Sequence, residues 1–196
     1  MRAVAYQRSL PADHPESLCD HVLPEPQPGP RDLLVAVKAI AVNPVDTKIR
    51  MRVQPDAGQY KVLGWDAAGE VVAVGTEVRD FVVGDAVYYA GDLNRQGSNA
   101  EYQCVDYRLV AKKPASLSFA EAAALPLTSL TAWEMLFDRL QIPLKENTAG
   151  PAALLITAGA GGVGSIALQL ARELTHCRLF ATASRPDSQA WAKDMG

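Results

Sequence analysis

Several features are scarce or missing in this sequence of 196 residues, and each absence excludes a class of protein. Basic residues are not in surplus: 19 Lys and Arg stand against 22 Asp and Glu, and no long Lys/Arg run could neutralise nucleic-acid phosphates. No stretch approaches the roughly 20 apolar residues of a membrane helix, and the start, MRAVAYQRSL, lacks the apolar segment of a secretion signal. We therefore expect a soluble, cytoplasmic protein that binds neither nucleic acid nor membrane.

Cysteine is too rare and too scattered to build a disulfide framework or a metal centre of four thiolates. The three cysteines, Cys19, Cys104 and Cys177, are widely separated and odd in number. The three histidines do not cluster either. We expect the cysteines to pack as small apolar side chains, in preference to a catalytic thiol.

The first part of the chain contains short β-rich runs separated by Pro, Gly and Asp, a pattern that predicts strands and turns. The runs are LLVAVKAIAV (33–42), GEVVAVG (69–75), AVYYAG (86–91), AEYQCV (100–105) and RLVAKKP (108–114). This rhythm predicts a compact, barrel-like β domain. With 48% apolar residues, the chain can bury a core, and its length fits one domain plus part of another.

The pattern changes from strands to helices after Pro114. Ser118 precedes Glu121 by three residues and an Ala-rich run follows, which is the pattern of a capping box at the start of a helix. A second helix is predicted around residues 130–137, followed by a polar loop over 145–151. We therefore divide the chain into a β domain, residues 1–117, and a second domain, residues 118–196.

A buried strand (153–157), a glycine turn, a helix (165–174) and a second buried strand (178–183) follow in the second domain. A G-x-G-x-x-G turn between strand and helix is typical of dinucleotide binding, because its glycines allow a tight turn, close approach of a pyrophosphate and close packing. The helix N-terminus then faces the phosphates. A glycine turn without a ligand is disfavoured, since its conformational entropy would be lost for no gain. The predicted pyrophosphate-binding residues are Gly159, Gly161, Gly162, Val163 and Gly164.

The residues after the second strand indicate which dinucleotide is bound. An NAD site would place Asp or Glu there to hold the ribose hydroxyls, but this chain has Ser184 and Arg185. A guanidinium suits the 2′-phosphate of NADP, because Arg makes charge-assisted bonds to phosphate. We therefore predict NADP(H). In the alternative, Arg185 is a solvated loop residue and Asp187 binds the ribose.

Several segments of the sequence resemble the medium-chain dehydrogenase/reductase superfamily, within it the quinone oxidoreductase (zeta-crystallin-like) branch and the subgroup labelled zinc-type alcohol dehydrogenase-like. The resemblance rests on VNPVDT (42–47), GWDAAG (64–69), VVGDAV (82–87), residues 122–133 and the glycine turn. It implies a β-rich GroES-like barrel domain followed by the first part of an α/β Rossmann domain, with the active site in the cleft between them. It also implies that about two fifths of the usual length is missing after Gly196.

Zinc ligands are not found at the places that the resemblance assigns to them. The positions of the thiolate and imidazole ligands of zinc-using relatives look like Pro44-Val45-Asp46 and Gly64-Trp65-Asp66. Two carboxylates do not make the N/S site that zinc prefers, and the four closely spaced cysteines of a structural zinc lobe are absent. We therefore predict a reductase without a metal.

The resemblance also assigns roles to individual residues near the reaction. It implies that Asn43 faces the nicotinamide and the substrate and that Thr131 binds the nicotinamide carboxamide. Lys48 stands where quinone reductases commonly have Tyr and could act as a cationic donor, although a solvated lysine is the simpler interpretation. Tyr89, with the neighbouring Tyr88, could line the cleft and take part in catalysis, or could simply pack in a strand.

The predicted function is hydride transfer from NADPH to a small molecule, a quinone or an α,β-unsaturated carbonyl compound, whose conjugation spreads the arriving charge without a Lewis acid. The alternatives are a non-catalytic, crystallin-like NADPH-binding protein and a zinc-dependent alcohol dehydrogenase. The resemblance is compatible with a homodimer for a full-length parent. Because an unfinished Rossmann domain leaves a bare apolar edge, we expect the chain alone to bind cofactor poorly and to turn over slowly or not at all.

Overall fold

The chain divides into two compact units in the computed structural model, which describes residues 1–147 and 153–196. The first unit is Met1–Leu127 and the second is Thr128–Gly196. Within the described ranges, none of the helices combines the length and the apolar character that a bilayer crossing demands.

The first unit is built from eight strands in two antiparallel sheets. The strands are β1 (Arg2–Tyr6), β2 (Cys19–Val22), β3 (Asp32–Ala41), β4 (Lys61–Val62), β5 (Asp66–Val74), β6 (Ala86–Ala90), β7 (Tyr102–Asp106) and β8 (Val110–Lys112). The smaller sheet has the order β2-β1-β4 and the larger β7-β3-β5-β6-β8. In β6 and β7 buried residues alternate with half-buried ones, because successive side chains of a strand point to opposite faces. Each of the five predicted β-rich runs contains a strand, although the last run, residues 108–114, does so only at Val110–Lys112.

Two helices accompany these sheets. The first, α1 (Pro44–Arg52), begins with proline, whose missing N–H and fixed φ suit the first helical position. The second, α2 (Phe119–Ala123), begins with the predicted capping box of Ser118 and Glu121. It packs on β3, β5 and β6, where Ala122 and Ala123 are buried against Ala68. The predicted domain boundary at residues 117/118 therefore falls before a helix that packs with the barrel.

The core of the first unit is an apolar cluster inside the larger sheet. It contains the buried residues Leu33, Val35, Ala67, Val71, Val78, Phe81, Val87, Tyr89 and Val105. Gly69 allows β5 and β3 to approach closely, because a Cβ atom at this position would come within 2.3 Å of the carbonyl oxygen of Ala36 on β3. The expectation of a β-rich first domain is confirmed.

The second unit contains the beginning of a parallel α/β layer. Helix α3 (Pro126–Trp133) leads into it and continues as a π-helical segment, Glu134–Arg139. The layer consists of β9 (Ala153–Ile156), α4 (Gly162–Leu174), β10 (Arg178–Ala181) and α5 (Pro186–Met195). Strands β9 and β10 are parallel neighbours, and the core includes Leu136, Ile156 and Leu168. The predicted strand, turn, helix and strand are confirmed.

Several predictions in this region differ from the structure at their edges. The helix predicted over 165–174 begins at Gly162, and the strand predicted over 178–183 ends at Ala181. The helix predicted around 130–137 starts earlier, because Pro126 supplies a favourable first helical residue. Of the loop predicted over 145–151, Lys145–Asn147 form a short 3₁₀ turn, and the remainder lies outside the described residues.

Candidate functional site

The local sequence Asn-Pro-x-Asp fixes the backbone of Asn43 at the start of α1. A residue that precedes proline is driven towards extended backbone, and Asn43 has φ −123° and ψ 159°. Its N–H donates to Asp46 Oδ2 at 2.6 Å, so the third helical residue reaches back to satisfy the residue that caps the helix. Asn43 is half-buried. Its position is therefore set by short-range sequence.

Asp46 also connects α1 to the segment before β5. Its side chain is buried, and its Oδ1 accepts from the N–H of Gly64 at 3.0 Å. Gly64 has φ +92°, and a Cβ there would lie 2.3 Å from Asn99 Oδ1, so only glycine fits. The carboxylate of Asp46 thereby links the backbones of Asn43 and Gly64.

Asp66, the first residue of β5, holds the side chain of Asn43. It is 0% exposed, and its Oδ2 accepts from Asn43 Nδ2 at 2.9 Å. Its Oδ1 accepts from the N–H of Leu127, in the first turn of α3, also at 2.9 Å. Burial raises the pKa of Asp66 to about 6, the hydrogen bonds from Asn43 and Leu127 act against the rise, and the nearby Asp46 carboxylate adds to it. Asp66 thus titrates close to neutral pH.

Apolar packing occupies the two positions where the resemblance would place zinc ligands. Trp65 is 2% exposed and clusters with Tyr6 and Leu63, and Val45 packs against the same cluster. The indole N–H of Trp65 donates to the carbonyl of Asp92 at 2.9 Å. Among the residues that the structure describes, no group of three or more His, Cys, Asp or Glu side chains could hold a metal ion. These side chains do not fit zinc.

In the part of the chain that the structure describes, no hydrogen bond joins Lys48 or Tyr89 to Asn43. Lys48 is exposed on α1. Tyr89 lies in the barrel core, 2% exposed, where its hydroxyl donates to Gln103 Oε1 at 2.9 Å and burial raises the pKa of the phenol. The geometry of Tyr89 therefore favours packing, the alternative weighed from the sequence. Tyr88 packs against the cluster that includes Ala68.

The glycine turn has the close contacts that its sequence predicts. A Cβ on Gly164 would lie 2.3 Å from the carbonyl oxygen of Ala158, and one on Gly159 would lie 2.8 Å from Ala181 Cβ. Gly161 is the N-cap of α4, and no side chain caps the helix. The first-turn N–H groups of α4 therefore have no capping side chain, which suits a phosphate. The left-handed residue, however, is Ala158, with φ +53°, and not a glycine of the motif.

A cavity of about 530 Å³ opens beside this turn, within the second unit. It is lined by Ala158, Ala160, Gly161, Thr182, Ala183, Ser184, Arg185 and Ser188. Both Ser184 and Arg185 are exposed, and Arg185 is the N-cap residue of α5. Asp187, the alternative ribose ligand, lies in the first turn of α5 but does not line the cavity. The turn and the two predicted selectivity residues are therefore brought together.

Thr131 lies on a helix that approaches the glycine turn. A Cβ on Gly162 would come within 3.2 Å of the methyl group of Thr128, one turn before Thr131 on α3. Residues three apart lie on one face of a helix, so Thr131 is on the face that approaches the turn. Its side chain is exposed.

Sequence reasoning missed three residues of these two regions. Asp46 could have been found from its spacing to Asn43, which is that of a capping box. Asp66 was considered only as a poor zinc ligand, although a carboxylate inside an apolar run signals a specific partner. Thr182 gave no signal: its Oγ1 accepts from the N–H of Ala158 at 2.9 Å, a contact across 24 residues.

Comparison with known proteins relates the chain to dehydrogenases and reductases. Residues 29–115 match the family of alcohol dehydrogenase GroES-like domains. A zinc-type alcohol dehydrogenase-like protein of Staphylococcus epidermidis is 42% identical over 196 residues, 100% of this chain and 57% of that protein. A 2-methylene-furan-3-one reductase of Solanum lycopersicum is 39% identical over 180 residues, 84% of this chain and 42% of that protein. The chain thus spans about half the length of the curated relatives it matches.

Three solved structures are similar along the whole chain. A provisionally named zinc-dependent alcohol dehydrogenase from Rhizobium etli is 53% identical, with a TM-score of 0.93, and 57% of its chain is covered. An NAD-dependent alcohol dehydrogenase is 35% identical, with a TM-score of 0.85 and 62% coverage. The Escherichia coli quinone oxidoreductase complexed with NADPH is 30% identical, with a TM-score of 0.79 and 56% coverage. This chain is covered completely in all three.

Proposed function

We propose that the chain is a member of the medium-chain dehydrogenase/reductase superfamily and works as a zinc-independent reductase. It would transfer hydride from NADPH to a quinone or an α,β-unsaturated carbonyl compound. Two of the proteins it resembles are named for such chemistry, one a quinone oxidoreductase and one a reductase of a methylene-furanone. Others carry alcohol dehydrogenase names. The choice between them depends on the residues of this chain.

The observation that carries the proposal is that every carboxylate oxygen of Asp46 and Asp66 is already engaged in a hydrogen bond. All four carboxylate oxygens accept from N–H groups, those of Asn43, Gly64 and Leu127. The side chains where zinc ligands would stand, Val45 and Trp65, are apolar and packed. Without a Lewis acid, charge that arrives on a substrate oxygen must be spread by conjugation or met by hydrogen-bond donors and a proton. Quinones and enones meet that condition better than simple ketones.

The cofactor assignment rests on the cavity beside the glycine turn. The uncapped start of α4 would bind the pyrophosphate, and Ser184 and Arg185 would bind the 2′-phosphate of NADPH. NADPH supplies the hydride when it is bound. Thr131 would hold the nicotinamide carboxamide, and Asn43 would donate a hydrogen bond at the reacting end.

A turnover assay tests the proposal on the chain and on any longer protein that carries it. NADPH oxidation is measured with a quinone, an enone and a simple ketone, with and without a chelator, and bound zinc is measured by elemental analysis. In the longer protein we expect oxidation with the quinone or the enone, none with the ketone, and no effect of the chelator, whereas the chain alone should turn over slowly or not at all. The outcomes that follow are read on the longer protein. Chelator-sensitive turnover with stoichiometric zinc would contradict the proposal, and tight NADPH binding with no turnover would favour the non-catalytic NADPH-binding protein.

A further inference from the structure

Asp66 is a buried carboxylate that has no role in the proposed reaction so far. It is 0% exposed, and burying an ionised carboxylate is strongly unfavourable unless hydrogen bonds compensate. Its two partners come from different places: the side chain of Asn43 before α1, and the backbone of Leu127 in α3. An apolar residue would fill the same space without the cost of burying a charge. The carboxylate is therefore expected to serve one of its partners.

Ionised Asp66 can only accept hydrogen bonds, so it determines how the amide of Asn43 is turned. The nitrogen Nδ2, and not the oxygen Oδ1, must face the carboxylate, as the 2.9 Å contact has it. The backbone of Asn43 is held independently, by Asp46. Two carboxylates thus hold two parts of one residue: Asp46 accepts from its backbone N–H, and Asp66 accepts from the donor end of its side chain.

We propose that Asp66 is a positioning residue, which fixes the orientation of the Asn43 amide so that its donor and acceptor atoms meet the bound cofactor and substrate in one arrangement only. The inference rests on the proposed function, because it takes Asn43 as a residue that contacts the reacting groups. Nδ2 carries two hydrogens, and the one that Asp66 does not accept is the donor offered to the substrate. A reversed amide would put the oxygen Oδ1 in its place, and the negative charge that develops on the substrate would be repelled rather than stabilised.

The substitution Asp66→Asn separates the two contacts of this side chain. Its amide oxygen can still accept from the N–H of Leu127, while its NH₂ group would face Asn43 and favour the reversed amide, with Oδ1 inward. The contact with α3 is thereby kept and the orientation of Asn43 is lost. Asp80→Asn is the matched control, because Asp80 is an exposed residue of the same unit.

A double-mutant cycle of Asp66→Asn and Asn43→Ala measures the coupling. We expect each single variant to lower kcat for the quinone roughly 5- to 50-fold, the effect of losing one hydrogen bond to a charged transition state, with KM and NADPH affinity changed much less. The double variant should be no slower than Asn43→Ala alone, because both changes remove the same interaction. Asp80→Asn should behave as the unchanged protein.

The outcomes distinguish this inference from the proposed function. If Asn43→Ala leaves kcat unchanged, Asn43 has no part in the reaction, and both the role proposed for it and the role of Asp66 are wrong. If Asn43→Ala slows turnover but Asp66→Asn does not, or if the two losses multiply, only the positioning role is wrong. The positioning role would also be wrong if Asp66→Asn lost thermal stability in parallel with kcat and showed no coupling to Asn43→Ala.

A spectroscopic readout tests the same inference without turnover or a variant at Asp66. The side-chain NH₂ signal of Asn43 is assigned by its loss in Asn43→Ala, and it is followed by ¹⁵N NMR as the pH is lowered. Protonation of Asp66 lets it donate instead of accept, so we expect that signal and the N–H of Leu127 to shift together, with a midpoint near the pKa of about 6. Asp46 is the other charged group that acts on Asp66. An Asn43 signal that does not move through this range would refute the positioning contact.

Discussion

The buried carboxylate of Asp66 predicts an unusual pH dependence of stability. A carboxyl group whose pKa is raised on folding favours the folded state when it is protonated. The pKa rises from 3.8 to about 6, so its favourable contribution is complete below pH 3.8 and is lost as the pH rises through 6. This sign is opposite to that of salt-bridged carboxylates such as Asp32, whose pKa the Arg95 guanidinium lowers.

The magnitude follows from the size of the shift. A rise of about two pKa units corresponds to about 3 kcal/mol, the full cost carried by the ionised group above pH 7. At pH 5 the folded protein is largely protonated at Asp66 while the unfolded chain is largely ionised, so about half of that cost is recovered. The native protein should therefore gain about 1 to 2 kcal/mol relative to Asp66→Asn when the pH falls from 8 to 5.

Urea unfolding at pH 8 and pH 5 measures this difference. Trp65, which is buried in the first unit, reports the barrel in a background where Trp133 and Trp191 are replaced by Phe. At each pH, the free energy of unfolding of the native protein is compared with that of Asp66→Asn, which removes the contributions of the other carboxylates. Asp80→Asn is the control: its difference from the native protein in free energy of unfolding should be the same at both pH values. A gap between native protein and Asp66→Asn that is the same at both pH values, or that widens in the opposite direction, would refute the reasoning.

Three further predictions concern the second unit. Gly164→Ala places a Cβ 2.3 Å from the Ala158 carbonyl oxygen, so the free energy of unfolding should fall by about 1 to 3 kcal/mol. Gly161→Ala, whose nearest contact is at 3.2 Å, should lower it less, and equal losses would contradict this reasoning. Ala158→Gly relieves the left-handed φ of +53°, so denaturant unfolding should show a gain of up to about 1 kcal/mol, and a loss would show that the turn needs the methyl group. Arg185→Ala should weaken NADPH binding roughly 10-fold in a fluorescence titration while NADH binding is unchanged, and equal effects on both cofactors would exclude a 2′-phosphate contact.

The elements that the sequence predicts well are those whose signal is local. The five β-rich runs, the Ser118 capping box and the strand, turn and helix around the glycines depend on residues within a few positions of each other. Strands β1, β2 and β4 were not predicted. They are short and obtain their partners from afar, as Ala5 does from both Cys19 and Val62.

The candidate site was predictable only in part, for the same physical reason. The glycine turn and Asn43 could be found from short motifs, whereas Asp66 acquires its role from partners 23 and 61 residues away. The strained residue of the turn was not predicted either, because glycine is the usual residue at a positive φ and this chain has Ala158 there. The contact from Thr182 that holds Ala158 arises only when β10 pairs with β9.

The apolar cluster around Trp65 has a consequence for redesign. Installing a thiolate and an imidazole through Val45→Cys and Trp65→His would not by itself create a metal site, since the neighbouring carboxylates are already engaged by backbone and amide hydrogens. The exchange would also remove the largest fully buried side chain of the chain's described part, and losing a buried tryptophan costs about 3 to 5 kcal/mol. Converting this protein into a metalloenzyme would therefore require changes in the core as well as at the candidate site.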